Sequence, residues 1–373
     1  MPNDHAIPGF YAVIPAGGVG SRLWPLSRAD APKFLHDLTG SGQTLLRDTF
    51  DRLAPLSGEQ RIMVVTGRAH RGAVESQLPA LEDLNVVLES EPRDSSAAIG
   101  LAAAILERRE PGVVIGSFAA DHVITGAALF REAVVEAVAS AEAGYIATIG
   151  IRPTEPAVGF GYIHCGESLS IEGAPHGLLV ESFVEKPDLA TARTYVSGGD
   201  HLWNAGMFIA RASVILEELG RNRPELLAGL LELAEAWDDP ATRGPAVDRI
   251  WPRLEKIAID YSVAEPAAAA GRLVVIPGLF GWDDVGDFAS LAKLNSRGRA
   301  SDLAILGRDA RVLSDASSGI VVTQTKRVIS LIGVKDIVVV DTPDALLVTT
   351  AEHAQRVKSV VDALKLSGSS DVL

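Results

Sequence analysis

Cysteine is nearly absent: Cys165 is the single one in 373 residues. That excludes an intramolecular disulfide and suits a reducing compartment, with a small buried or half-buried thiol as the expected role. Positive charge is also scarce. With 34 Lys and Arg against 48 Asp and Glu, the net charge is −14, the opposite of the basic face that a general nucleic-acid or anionic-membrane binder carries. Neither nucleic acid nor a membrane is therefore expected as a partner, and any phosphate has to be met by a local cluster such as Arg22, Lys33 and Lys186. No N-terminal apolar run is long enough for a signal peptide or a membrane span, and the segment around Asp4 has no basic region, so a cytoplasmic protein is expected. What is present is a 47% hydrophobic chain, long enough for one large α/β domain and a smaller module.

The most informative stretch runs over residues 10–38, FYAVIPAGGVGSRLWPLSRADAPKFLHDL. Phe10–Ala16 is a short uncharged, β-favouring run that ends abruptly at Gly17-Gly18-Val19-Gly20, as a buried parallel strand entering a turn does. These glycines let the backbone approach a ligand and free successive N–H groups to point at one anion. Arg22 follows at once, and Lys33 comes after Pro25 and Pro32 have stiffened the loop; two cations and a nest of amides make a triphosphate site. The dinucleotide fingerprint does not fit, because Leu23 stands where a third small residue is needed. A P-loop does not fit either, since Gly20 is followed by Ser21-Arg22 rather than Lys-Ser/Thr. The glycines alone are equally compatible with a plain strand-to-helix turn.

Along the chain, strands are expected over 61–66, 86–88, 113–118 and 145–149, with helices over 69–81, 96–107 and 130–141. This alternation indicates βαβ units in a doubly wound, mostly parallel sheet, whose ligands bind beyond the carboxyl ends of the strands. Asp121 leaves an apolar strand at that edge, where hard oxygen ligands hold Mg²⁺, although a capping aspartate is the alternative. Phe183-Val184-Glu185-Lys186-Pro187 ends another apolar strand with an acceptor for hydroxyls and a cation for a phosphate. Asn204 offers both an amide donor and a carbonyl acceptor, beside the small Ala205 and Gly206. Gly159 to Ile163 is either a close approach to a ligand or a hairpin turn. Residues 212–254 are expected to be mostly helical. Beyond about residue 301 the pattern changes to short strands over 319–322, 327–332, 337–340 and 345–349, closed by a helix with Val357, Val360, Val361 and Leu364 on one face.

Together Gly17-Gly18-Val19-Gly20-Ser21-Arg22 and Pro32-Lys33-Phe34-Leu35 resemble the signature of the sugar-nucleotide pyrophosphorylases, and most closely that of the mannose-1-phosphate guanylyltransferases. Five motifs stand in family order over nearly the whole chain. The resemblance implies a Rossmann-like nucleotidyltransferase core over residues 1–298 and a small β-rich C-terminal module over 299–373 that serves packing or homodimerisation. It implies that Ala16, Gly17, Gly18, Gly20, Ser21 and Arg22 hold the nucleotide. Glu91 and Ser95 lie in the stretch that meets the base, although Arg93-Asp94-Ser95-Ser96 departs from the family wording and Ser95 is equally read as a helix cap. Gly161, Glu185, Lys186 and Asn204 would hold the sugar phosphate. Within Gly281-Trp282-Asp283-Asp284-Val285-Gly286, Asp284 corresponds to the aspartate that joins Asp121 on one Mg²⁺; Asp260 in the Ile259-Asp260-Tyr261-Ser262 segment receives no role.

The implied reaction is nucleotidyl transfer from GTP to mannose 1-phosphate, with Arg22, Lys33, Asp121 and Asp284 catalytic. A sugar phosphate with a second pKa near about 6 is already mostly a dianion at neutral pH, so no general base or Ser-His-Asp set is required. The same chemistry on glucose 1-phosphate with UTP or dTTP, and a non-catalytic nucleotide-sugar-binding homologue, are the alternatives.

Overall fold

The run Phe10–Ala16 forms strand β1, buried along its length except at half-buried Tyr11 and Pro15. The computed structural model describes residues 6–296 and 302–373, and these fall into two compact units. The first takes the chain up to Gly17, then 49–120 and 124–282; the second takes 18–48, 121–123 and the chain from Asp283 onward. The expected domain boundary between 298 and 299 lies outside the described residues.

The first unit is built on a nine-stranded sheet in the order β3-β2-β1-β4-β9-β6-β10-β8-β7. Its further strands are β2 (Ile62–Gly67), β3 (Val86–Glu89), β4 (Val114–Ser117), β6 (Ile146–Ile151), β7 (Tyr162–Ser168), β8 (Leu178–Val184), β9 (His201–Arg211) and β10 (Leu273–Gly278), while β5 (Val123–Thr125) and β11 (Gly281–Asp283) pair as a separate ribbon. Strands β3, β2, β1 and β4 are parallel neighbours, as are β6 and β10. The sheet as a whole is nevertheless mixed, which corrects the expectation of a mostly parallel one. β9 runs antiparallel to both β4 and β6, and β7 and β8 are antiparallel to their neighbours. An antiparallel partner needs no crossover helix, so the βα alternation that reveals the parallel half carries no signal for this one.

Helices α1 (Leu45–Ser57), α2 (Arg71–Gln77), α3 (Asp94–Arg109) and α4 (Ala127–Glu142) follow successive strands. The helix expected over 69–81 is shorter: a 3-10 turn over Arg68–His70 precedes α2, which stops ahead of Leu78 and Pro79, because a residue before proline is pushed out of helical geometry. Helix α3 is buried from Ser96 to Leu106. Its small residues admit close neighbours, and a Cβ on Gly100 would come within 2.6 Å of Leu230 and 2.9 Å of Leu219. Those leucines belong to α7 (Pro224–Glu235) and α6 (Ala212–Asn222), which join α8 (Pro240–Ile250), α9 (Glu265–Ala269), Trp237 and Trp251 in the core on that face. Helix α5 (Leu189–Gly198) is capped at its start by Asp188, which accepts from Thr191 N–H, and closed by Gly199 at φ +77°.

In the second unit, α10 (Phe288–Asn295) begins at Asp287, whose carboxylate accepts the N–H groups of Ala289 and Ser290. Strands β12 (Leu303–Leu306), β14 (Gly319–Thr323) and β16 (Ile337–Asp341) then stack in parallel, and β13 (Arg311–Asp315) stacks on β15 (Val328–Ile332) in the same way. These are successive coils of a β-helix. Antiparallel β17 (Leu346–Thr350) and helix α11 (Val357–Ser367) close it. The interior holds Ile320, Val322, Val338 and Val340 together with Leu23, Trp24 and Phe288. On α11, Val357 and Val361 are buried, whereas Val360 is 39% exposed and so leaves the expected apolar face.

Candidate active site

Lys33 organises the predicted residues that lie in the second unit. Its side chain is buried, and the ammonium donates to Asp121 Oδ2 at 2.9 Å and to the backbone carbonyl of Asp284. The turn of Gly20, at φ +74° and ψ +46°, lies directly against it: a Cβ there would come within 2.7 Å of Lys33 Cβ. Lys33 N–H donates to the carbonyl of Val19 at 3.2 Å, which pins the lysine to the glycine loop. Ser21 opens a 3-10 turn, and Arg22 within it is exposed, with no ion pair among the described residues. Ala16, by contrast, is buried at the end of β1, its carbonyl accepting from Thr66 Oγ1 at 2.7 Å, and Gly17 and Gly18 are exposed.

Asp121 and Asp284, far apart in sequence, meet around that lysine. Burial alone would raise the Asp121 carboxyl, but the Lys33 charge, His122 and the Lys33 hydrogen bond together outweigh it and hold Asp121 below the usual carboxylate range. Asp284 goes the other way. Burial pushes it up to about 6 against the pull of Lys33, with Asp283, Asp121 and Asp287 adding to the rise. Hard carboxylate oxygens gathered where one lysine does not counter their charge are the donors a divalent cation of the Mg²⁺ kind takes, so this residue set fits one.

The first unit brings together the other predicted residues. Glu185 and Lys186 pair at 2.6 Å just beyond β8, Glu185 largely buried and Lys186 exposed. Glu185 packs so closely on Gly161 that a Cβ there would lie 2.5 Å from Glu185 Oε2. The Gly161 carbonyl accepts from Asn204 N–H at 2.8 Å, which ties β9 to the start of β7. Asn204 is buried, its carbonyl oxygen accepting from Thr148 Oγ1 at 3.0 Å and Gly206 N–H at 3.1 Å, its amide donating to Asp260 at 2.9 Å. Phe160 stands edge-on to both Trp203 and Trp282, with ring centroids 5.0 and 5.1 Å apart.

Sequence reasoning left Asp260 without a role, and the structure gives it one in holding Asn204. Burial first, and then Glu185, push the Asp260 carboxyl up to about 6. The second omission is Glu89. It is buried at the end of β3 beside Gly17, where a Cβ would lie 3.3 Å from Glu89 Oε2, and burial reinforced by Asp94 raises its carboxyl to about 7. Glu91, the acid singled out in the same stretch, is exposed and paired to Arg93. Ser95 Oγ accepts from Ile259 N–H at 2.9 Å, joining that stretch to the segment that carries Asp260.

Backbone strain collects in these motifs. Asp94 (φ +68°), Lys186 (φ +50°) and Val285 (φ +44°) all occupy the left-handed region, at a cost on the order of 1–3 kcal/mol each that is greatest for a β-branched residue.

Comparison with known proteins identifies the family. Residues 11–300 match the family model described as nucleotidyl transferase, and residues 310–364 match the MannoseP isomerase/GMP-like beta-helix domain. The chain is 37% identical over 362 residues to the mannose-1-phosphate guanylyltransferase of Escherichia coli K12, covering 96% of this chain and 74% of that one. It is 37% identical over 374 residues to mannose-1-phosphate guanylyltransferase ManC of Salmonella typhimurium, with the same shares covered. The crystal structure of mannose-1-phosphate geranyltransferase from Thermus thermophilus superposes with a TM-score of 0.82 at 31% identity, over 96% of this chain and 99% of that one. On these matches, a nucleotidyl transferase domain followed by a β-helix, the chain belongs to the nucleotidyl transferase family and, within it, to the mannose-1-phosphate guanylyltransferases.

Proposed function

We propose that this chain transfers a guanylyl group from GTP to α-D-mannose 1-phosphate, giving GDP-mannose and pyrophosphate. The observation that carries this reading is the meeting of Lys33, Asp121 and Asp284 at the glycine loop. An oxygen of the sugar phosphate attacks the α-phosphorus, the bond to the β-phosphate oxygen breaks, and pyrophosphate leaves with its charge. No proton has to move, because the nucleophile is already ionised. The N–H groups of Gly17, Gly18, Gly20 and Ser21 and the exposed Arg22 cradle the triphosphate next to Ala16. Lys33 steadies the developing charge and holds Asp121 in place. Glu91 and Ser95 serve the base, joined by Glu89, whose raised carboxyl suits hydrogen bonding to a purine edge. Gly161 leaves room for the sugar ring, Glu185 and Asn204 take its hydroxyls, and Lys186 takes its phosphate.

The metal is Mg²⁺, held by Asp121 and Asp284; when bound it supplies charge neutralisation for the phosphate oxygens. Residues 1–298 form the catalytic domain, doubly wound with α3 and α4 on opposite faces, and residues 299–373 form the β-helical module. The alternation of buried residues supports the two faces: Ile146, Leu273 and Val275 join the α3 core, while Ala147, Val274 and Ile276, each next in the chain, are equally buried. Exposed apolar residues on the module, among them Leu313, Ile332 and Val348, support homodimerisation through it. Among the described residues no helix is long and apolar enough to cross a membrane, and the lone thiol fits the cytoplasm.

Pyrophosphate release over a panel of nucleotides and sugar phosphates tests the reading. GTP with mannose 1-phosphate is expected to give the highest kcat/KM; glucose 1-phosphate with UTP or dTTP doing as well would overturn the specificity, and binding without turnover would identify a silent homologue. A monomer in light scattering would remove the dimer.

A further inference from the structure

We propose that His164, Asp200 and His201 form a Zn²⁺ site on the β7–β9 strand pair, separate from the Asp121 and Asp284 acids. His164 and His201 are direct antiparallel partners, so their side chains leave the sheet on one face, where the rings stack with centroids 4.7 Å apart. Asp200, in the turn between α5 and β9, reaches both: it lies 2.6 Å from His201 Nδ1 and 3.3 Å from His164 Nε2. One ligand atom from each of the three lies within 4.8 Å of the others, and among the described residues no other group of histidines, cysteines and acids does so. Two imidazole nitrogens and one carboxylate oxygen are a donor set that suits zinc and its transition-metal neighbours, whereas Mg²⁺ prefers oxygen alone.

The surroundings are those of a metal-binding histidine. The second ring nitrogen of His164 faces Glu181 Oε2 on β8 at 3.1 Å, an outer carboxylate that fixes the tautomer and turns Nε2 toward the ion. Tyr195 of α5 stacks on His201 at 3.9 Å and limits its rotation. Asp200 is exposed, which leaves the fourth position of a tetrahedral ion to water. The ion would clip β7 to the start of β9 three residues from Gly161 and Asn204, and so brace the strands that carry them.

Tag-free, chelator-treated full-length protein is titrated with Zn²⁺ by calorimetry under excess Mg²⁺, with metal analysis after dialysis. One Zn²⁺ per chain is expected, raising the melting temperature, and Co²⁺ in its place should give the visible absorption of a tetrahedral site. His164→Ala and His201→Ala should each weaken binding at least tenfold, as should Glu181→Gln, which keeps all three ligands but removes the outer acid (roughly 10–100-fold for such groups). Asp284→Asn should leave the Zn²⁺ stoichiometry unchanged. Wild-type protein that takes up no Zn²⁺ under these conditions, or a folded His164→Ala variant with full affinity, would overturn the site and leave only a hydrogen-bonded cluster. If the alanine variants fail to fold, Glu181→Gln decides, and unchanged affinity overturns it.

Discussion

Asn204 donates its amide to Asp260 at 2.9 Å, and because Thr148 and Gly206 occupy the opposite oxygen, the orientation of that amide is fixed. Asp260 thus serves to orient Asn204. Asp260→Ala should raise KM for the sugar phosphate about tenfold, the worth of one strong hydrogen bond, with a smaller change in kcat. Asp260→Asn keeps an acceptor and should restore most of it. Steady-state kinetics with the sugar phosphate varied would show equal KM values in all three proteins if Asp260 had no positioning role.

Removing Lys33 leaves Asp121 without its cation. Lys33→Met should destabilise the protein by about 2–3 kcal/mol, since an uncompensated, largely enclosed carboxylate remains, and should lower turnover at least about a hundredfold. Adding Asp121→Asn should recover stability in urea unfolding but not pyrophosphate release. Recovery of both would mean that the pair is structural only.

Glu89 makes stability depend on pH. Its folded pKa of about 7 lies above the ordinary 4.5, so the folded chain binds the extra proton, and the stability that proton contributes is full below pH 4.5 and lost as pH rises through 7. At pH 8 the buried charge costs on the order of 3 kcal/mol. Glu89→Gln should therefore melt higher than wild type at pH 8 and flatten the fall between pH 4.5 and 7. Asp94→Asn, by removing the neighbouring charge, should move the Glu89 titration down. Melting curves with the same slope in wild type and Glu89→Gln would show that Glu89 does not titrate in this range.

The loop glycines separate structure from binding. A Cβ on Gly20 meets Lys33 Cβ, and the left-handed φ adds strain, whereas a Cβ on Gly18 has nothing within 4 Å. Gly20→Ala should cost about 1–3 kcal/mol of stability and most of the activity. Gly18→Ala should melt like wild type yet raise KM for GTP several-fold. A Gly18→Ala enzyme with an unchanged KM would take that residue out of the triphosphate cradle.

The local features were legible because their chemistry is written contiguously. A strand broken by Gly17, Gly18 and Gly20, an aspartate released after Phe118, and Glu185-Lys186 stopped by Pro187 each declare themselves within a few residues. What stayed hidden depended on distant partners. The direction of β9 is set by pairing with β4 and β6, and Asn204-Ala205-Gly206 in its middle interrupts the run of β-favouring residues that would mark a strand. Asp260 acquires its purpose only through Asn204, 56 positions away. Glu89 is hidden beside Glu91 because the apolar run ends at Leu88, and sequence does not tell a buried acid from an exposed one two residues on. The C-terminal strands were visible one at a time, but their stacking into parallel coils is a matter of register.

The left-handed backbone at Asp94, Lys186 and Val285 gives random drift a preferred direction. In a lineage released from selection for catalysis, glycine or asparagine at Asp94 and Lys186 would relax the chain while erasing the acid that raises Glu89 and the cation proposed to take the sugar phosphate. A gene duplicate that had abandoned its chemistry should therefore betray itself first at those two sites, and by folding more robustly than its working parent.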